Sequence, residues 1–442
     1  MSFLPSQPRL AILAAAMALF SGVAARATPL LVIDARSGEV LVERDATQPW
    51  YPASLTKLVT VYAALTAVRE GRITMDTPMR VSARAARMPP SKMGFKPGQE
   101  VTLDNALKML MVKSANDLAI TIAEGVAGSV ENFAVQMNTV AARVGMRESH
   151  FVNPNGLHDA NHYSSARDMA LVAMALYRDF PQYSNLYGIG AFRLGSMVVP
   201  THNGLLGRYP GAEGMKTGFT CPAGFNVVAS ATHGGRRLIA VVLGFPNAKS
   251  RTIEAASIMD AGFATSGSGR NVAALPATGG GPPNMREQIC GAHRQELAED
   301  DFAVRVAGAA PPSTHEDDSP AAFFRNDGRA AGSPVDVGGV AATQMALAQR
   351  PIFEPIDVYV GRAPGWTGPV AGPGGAPDKV AAAEAAEKPP ARKTARAHAK
   401  PAAHKQVVTE KPKGKSGAKG KGEPKKVAAH AAGGKTSKKT TE

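Results

Sequence analysis

Tyr51-Pro52-Ala53-Ser54-Leu55-Thr56-Lys57, running into a helical pattern stopped by Gly71, is the stretch around which this 442-residue chain is organised. Leu58, Val61, Tyr62 and Leu65 recur at helical spacing, which predicts a helix over 54–70. A serine and a lysine three apart share one face of such a helix. The amine can then take the hydroxyl proton. Serine is a poor nucleophile at its own pKa and needs a base of this kind for covalent chemistry. Two tripeptides follow in order, Ser114-Ala115-Asn116 and Lys216-Thr217-Gly218. The first lies at a break between helical patterns, where Asn116 or Asp117 can cap the second helix. The other lies in a strand pattern.

Singly, each is commonplace. Lysines mostly sit solvated on helix faces, and serine and asparagine are ordinary turn residues. Their order, each on the kind of element its chemistry needs, argues for one convergent site. There Ser54 attacks a carbonyl and Lys57 is the base, held neutral by burial and by a second ammonium on Lys216. Ser114 relays a proton to the leaving amine, and Asn116 holds a substrate peptide group. Lys216 and Thr217 bind an anionic group such as a terminal carboxylate. Gly218 lets an extended substrate pair along an edge strand, and the backbone N–H groups of Ser54 and Phe219 form an oxyanion hole.

Outward from these motifs, strands are expected at 30–35 and 40–44, joined by Arg36-Ser37-Gly38. Helices follow at 104–111, from 117, at 130–144 and at 168–177. A loop-rich stretch spans Pro89 to Gly98, and Asn153-Pro154-Asn155-Gly156 is a turn. Strands at 213–220, 225–232 and 238–245 and a helix at 253–263 complete the pattern. Two strands, a block of helices, three strands and a helix make a mixed α/β body around one antiparallel sheet with a helical insert, residues 28–265.

The ends differ from this body. Arg9, the apolar run Leu10 to Phe20 and Ala25-Arg26-Ala27 are a signal peptide, 1–27, cleaved after Ala27. The run is too short for a permanent anchor, so a periplasmic or otherwise extracytoplasmic location without a transmembrane helix in the mature chain is expected. Residues 266–380 read as a Pro/Gly-rich linker with short islands at 321–324 and 356–360, either strands or docking segments. Residues 381–442 contain no Leu, Ile, Met, Phe, Tyr or Trp, so little offsets the entropy of ordering them, and disorder is expected. That tail carries 16 Lys+Arg against 5 Asp+Glu, so it accounts for +11 of the chain's formal +14. The basicity belongs to a tail, suited to anionic envelope surfaces, and export argues against nucleic acid. Cys221 and Cys290 are too few for a disulfide scaffold; export permits a bridge, but two unpaired thiols are expected. No metal or cofactor is expected.

From about Thr28 to Phe263 the chain resembles the D-alanyl-D-alanine carboxypeptidases of the low-molecular-mass penicillin-binding proteins. The resemblance rests on Tyr51 to Lys57, Lys113-Ser114-Ala115-Asn116-Asp117, Asn153-Pro154-Asn155-Gly156-Leu157 and Gly214-Met215-Lys216-Thr217-Gly218-Phe219-Thr220. It implies a β-lactamase/penicillin-binding-protein-like fold and an acyl-enzyme on Ser54. It also implies peptidoglycan stem peptides as substrates and β-lactams as covalent inhibitors. Arg251 matches a family arginine near the carboxylate pocket; the other reading is a surface arginine at the start of the last helix. His202 stands before Asn203-Gly204-Leu205-Leu206 where some relatives carry arginine. Neither the family's β-rich second domain nor its amphipathic anchoring helix is visible after Thr265. A D,D-endopeptidase would use the same residues. A β-lactamase is disfavoured because Ser114-Ala115-Asn116 lacks a central aspartate and the helical insert offers no clear deacylating glutamate. A non-catalytic wall-binding protein would not need Ser54, Lys57 and Lys216 intact.

Overall fold

Leu30-Leu31-Val32-Ile33 is apolar at every position, the pattern of a strand covered on both faces, and the computed structural model places it so. It describes residues 28–291, 305–306 and 351–374. Strand β1 (Leu30–Asp34) pairs antiparallel with β2 (Val40–Arg44). A 3-10 turn (Ala53–Thr56) then leads into α1 (Lys57–Arg69). The hairpin of β3 (Pro78–Arg80) and β4 (Glu100–Thr102) encloses a one-turn helix, α2 (Ala83–Ala86), and a loop at 87–99. Helices α3 (Leu103–Lys113), α4 (Asn116–Ala127), α5 (Val130–Val144) and α6 (Ala166–Asp179) complete the helical lobe. A second hairpin, β5 (Ala191–Leu194) with β6 (Met197–Pro200), precedes β7 (Ala212–Thr220), β8 (Gly224–His233) and β9 (Arg236–Phe245). Helix α7 (Ala248–Ala264) and the short α8 (Arg286–Cys290) follow, and β10 (Arg305–Val306), β11 (Ile352–Phe353) and β12 (Ile356–Asp357) are two-residue strands.

The main sheet has the order β2-β1-β9-β8-β7, all antiparallel, and β7 is an edge. Alternate residues face opposite layers, as a period of two requires. Leu31, Ile33, Ile239 and Val241 join the helical core, whereas Leu30, Val32, Leu238, Ala240 and Val242 pack with Ala255, Ile258 and Met259 of α7. Helix α1 is buried from Lys57 to Ala67, so it is the axis of the lobe and not a surface helix.

The structure corrects several expectations. Ser54 lies in the 3-10 turn, and the α-helix begins only at Lys57. Asn116 and Asp117 fall inside the first turn of α4, whose cap residue, Ala115, makes no side-chain bond. Asp117 instead accepts from the backbone N–H groups of Met93 and Gly94, at 3.1 and 2.8 Å, pinning the 87–99 loop. Cys221 and Cys290 are not free: a disulfide joins them, with Cα atoms 5.6 Å apart. Their separation of 69 residues gave no sign that α8 returns to the end of β7. Both small hairpins went unread because three- and four-residue strands leave too short a pattern to separate from loop.

Of the two islands after Thr265, Ile356–Asp357 forms β12, parallel to β5, while 321–324 lies outside the described residues. So do the expected signal peptide and basic tail. Among the described residues no single helix is long and apolar enough to cross a membrane.

Candidate active site

Where the turn bearing Ser54 sits is decided by polar groups buried behind it. Asn226 on β8 is wholly buried and donates to the carbonyls of Tyr51 (3.0 Å) and Pro52 (3.3 Å). Its other amide atom accepts from Gly244 N at 2.8 Å. Leu55 N donates to Pro52 O at 3.1 Å, and Ala53 takes the left-handed conformation, φ 47°. His162 Nδ1 accepts from Val152 N, so its Nε2–H donates to Thr56 Oγ1 at 2.7 Å. Burial holds that imidazole neutral, its pKa pushed down to about 3. Gly156 closes the 153–157 turn on the same segment: a Cβ there would collide with the Ala53 carbonyl.

Lys57 is fully buried. Its Nζ lies 2.9 Å from Ser54 Oγ, 2.9 Å from Asn116 Oδ1 and 2.6 Å from Asn155 O. Asn116 Nδ2 donates to Pro89 O at 3.1 Å, which fixes the amide with its oxygen toward the amine. Two of the three neighbours are therefore oxygens that only accept, while the third is a hydroxyl that can also donate. Burial, then the charge of Lys216, holds the Lys57 pKa well below the ordinary lysine value, with Asp117 opposing. A neutral amine has two N–H bonds for the two carbonyls and one lone pair left for the hydroxyl. This is the geometry of a base.

Ser114 ends α3 in the left-handed conformation, φ 60°. Its buried Oγ makes no hydrogen bond within the described residues and borders a cleft of about 790 Å³. Ser54, Asn116, Thr217, Phe219 and Arg251 border it too. Arg251, in the first turn of α7, is 4% exposed, which excludes the surface alternative. Lys216 lies behind the wall, its Nζ donating to Thr217 O at 3.0 Å. Burial, then Arg251, lowers its pKa to about 7. His202 also lines the cleft; burial, Lys216, Lys113 and Arg251 lower its pKa to about 4. The guanidinium of Arg251, with Lys113 also lining the cleft and Lys216 behind it, suits an anion, while His202 stays neutral. Gly218 has an internal reason to be glycine. A Cβ there would lie 2.9 Å from Pro52 O and 3.0 Å from Ser54 N, so β7 presses directly on the serine turn.

The structure thus gathers all nine sequence-derived residues around one cleft, with Lys57 and Lys216 beneath its surface. Sequence reasoning missed Asn155, His162 and Asn226. Asn226 left one signal, a polar residue inside the apolar strand pattern Phe225 to Ala231; Asn155 was read as a turn residue, and His162 had no signal. Among the described residues no group of three or more His, Cys, Asp or Glu could hold a metal ion.

Comparison with known proteins identifies the family and the fold. The sequence profile of the peptidase S11, or D-alanyl-D-alanine carboxypeptidase, family matches residues 16–247. A D-alanyl-D-alanine carboxypeptidase of Haemophilus influenzae is 36% identical over 239 residues, which cover 53% of this chain and 61% of that protein. The chain spans about six tenths of the length of the first curated relatives it matches. Penicillin binding protein 5 from Haemophilus influenzae superimposes with a TM-score of 0.52 at 36% identity, over 54% of this chain and 71% of that one. Penicillin-binding protein D2 from Listeria monocytogenes, solved in its ampicillin-bound form, gives a TM-score of 0.50 at 27% identity, over 54% and 97%.

Proposed function

The chain belongs to the D-alanyl-D-alanine carboxypeptidase family, and from that premise we propose that it is an exported serine D,D-carboxypeptidase. In this reading it trims the terminal D-alanine of peptidoglycan stem peptides and is acylated by β-lactams. The observation that carries the reading is the Lys57 amine, buried and 2.9 Å from Ser54 Oγ, with its N–H bonds directed to Asn116 and Asn155.

Lys57 takes the Ser54 proton as Oγ attacks the penultimate carbonyl. The carbonyl oxygen, turning negative, is held by the backbone N–H groups of Ser54 and Phe219. The C–N bond then breaks, and D-alanine leaves as an amine that receives its proton through Ser114 from Lys57. Water deprotonated by Lys57 attacks the ester and regenerates the serine. Thr217 and Arg251 receive the terminal carboxylate, and the Lys216 charge behind them strengthens its binding. The Cys221–Cys290 disulfide supports export, since such bonds persist in oxidising compartments. The basic tail is proposed to lie against anionic envelope surfaces; binding insensitive to salt would count against that.

The test is to incubate the protein with a labelled penicillin and with a pentapeptide ending in D-Ala-D-Ala. The label is expected on the peptide containing Ser54, free D-alanine is expected from the pentapeptide, and Ser54→Ala should abolish both. A Ser54→Ala protein that still releases D-alanine would remove the assignment.

A further inference from the structure

Residues 351–374 return to the catalytic body without lining the cleft, and neither the motifs nor the mechanism uses them. They nevertheless touch the units that carry two of the cleft's loops. At one end Pro351 and Phe353 fill a socket made by two glycines, Gly190 and Gly207, where any Cβ would collide with them. Strand β12 then adds to β5, pairing Ile356 with Phe192 and Asp357 with Arg193, and Val358 N donates to Arg193 O at 2.9 Å. β5 in turn pairs with β6, which runs into Thr201 and His202 at the cleft. Thr201 N donates to Gly190 O at 2.8 Å, beside the Phe353 socket.

The other end grips the β3–β4 hairpin. Gly361 N donates to Glu100 O at 2.7 Å, and Arg362 holds the Glu100 carboxylate at 2.6 and 3.3 Å. Ala371 is wholly buried; its N–H donates to Pro78 O and its carbonyl accepts from Arg80 N, both at 2.8 Å. That hairpin encloses the 87–99 loop, whose Pro90, Ser91 and Lys92 line the cleft. Backbone groups with strand partners, a ring seated on two glycines and an ion pair make this a fitted contact at both ends of the segment.

We propose that residues 351–374 are a brace that fixes the 87–99 and 201–207 loops from outside and so sets how well the cleft holds an extended peptide. The brace is a positioning element: it touches no reacting atom. Ser54 and Lys57 are held by Asn226, His162, Asn116 and Asn155, none of which lies in the brace or in the 201–207 loop, so the chemical step is independent of that end; the 87–99 loop carries Pro89 and Ser91, which bond Asn116, so loosening that end also slows acylation. Loops held in place before the ligand arrives need not be ordered at its expense. Loosening the 201–207 loop therefore weakens ground-state and transition-state binding alike, which raises KM and leaves kcat. The inference rests on the proposed function only in taking the ligand of this cleft to be a peptide.

The test uses the full chain with Phe353→Ala, the milder Phe353→Leu, and Arg362→Ala at an exposed position. Hydrogen exchange should quicken in 201–207 for Phe353→Ala and in 87–99 for Arg362→Ala, with α1 unchanged. KM for a D-Ala-D-Ala pentapeptide should rise about tenfold in Phe353→Ala, with kcat and acylation by a small β-lactam within twofold of wild type and partial recovery in Phe353→Leu. Unchanged exchange in both loops would overturn the brace. So would equal losses of kcat and β-lactam acylation in Phe353→Ala with KM unchanged, the mark of a smaller folded fraction. A wild-type chain that neither binds penicillin nor releases D-alanine would instead remove the functional reading, and the exchange measurements would then decide the brace alone.

Discussion

Replacing Gly218 with alanine probes the contact between the edge strand and the serine turn most directly. The added Cβ would stand 2.9 Å from Pro52 O, 3.0 Å from Ser54 N and 3.1 Å from Leu55 N. Comfortable carbon contacts begin at about 3.5 Å, so β7 and the turn must separate by roughly half an ångström. None of the three atoms can swing away, because all are backbone and Asn226 pins Tyr51 and Pro52 from behind. The separation widens the gap between Ser54 N and Phe219 N, the two proposed oxyanion donors. Losing one such donor outright costs about 10²–10³ in rate; a partial displacement should cost about 10- to 100-fold in acylation. Overpacking should also remove about 1–3 kcal/mol of stability. Acylation by a chromogenic β-lactam and thermal unfolding read the two effects, and both should fall together. If Gly218→Ala instead acylates a small β-lactam at the wild-type rate with an unchanged Tm, while KM for the pentapeptide alone rises, the glycine serves substrate approach only. The internal-contact reasoning is then wrong.

Asn116→Asp places a carboxylate 2.9 Å from Lys57 Nζ, which favours the ammonium and removes the base; acylation at neutral pH should fall at least about 100-fold, with partial recovery at alkaline pH, read from a pH–rate profile. Lys216 has its pKa near 7, so the free enzyme loses that charge as pH rises through 7. For peptides with a free terminal carboxylate kcat/KM should accordingly decline several-fold between about pH 6 and 9 relative to amidated peptides, with Arg251 keeping the loss partial. Breaking the Cys221–Cys290 bridge, which closes a 69-residue separation, with Cys221→Ser and Cys290→Ser should cost about 2–4 kcal/mol in urea unfolding; a difference below about 0.5 kcal/mol would mean that the unfolded chain gains little freedom from its loss.

The main sheet was legible because its strands are long and flanked by turn residues, and the helices because their apolar spacing survives over three or more turns. The three motifs proposed to form the site were legible for a different reason. Chemistry restricts Ser54, Lys57, Ser114, Asn116 and Lys216 to few residue types in a fixed order. Nothing comparable restricts the supports. Asn226 holds the serine turn and His162 holds Thr56, but either could be any buried donor or acceptor at the right distance, and distance is absent from a sequence. The disulfide was misjudged for the same reason: two cysteines say nothing about whether their Cα atoms come within bridging range. The brace was half legible, since Ile356 to Val360 read as a strand or docking segment, but its partner β5 is a four-residue strand with no pattern of its own.

The backbone conformations at the site follow from the same division of labour. Among the described residues only Asp45, Ala53 and Ser114 have positive φ without being glycine, and two of these three border the reaction centre. A left-handed residue with a Cβ is disfavoured, and it persists only where its surroundings over-determine it. Ala53 is so fixed by the Asn226 bonds to Tyr51 and Pro52 on one side and by the close approach of Gly156 on the other. Ser114 follows Lys113, whose carbonyl accepts from Ser91 Oγ at 2.7 Å, and precedes Asn116, whose N–H donates to Ser91 O at 2.8 Å. The proposed nucleophile and the proposed relay are therefore each presented by a strained residue clamped from both sides. Precision in this site resides in the clamps, and a substitution at Asn226 or Ser91 is expected to disturb acylation although neither residue touches the reacting atoms.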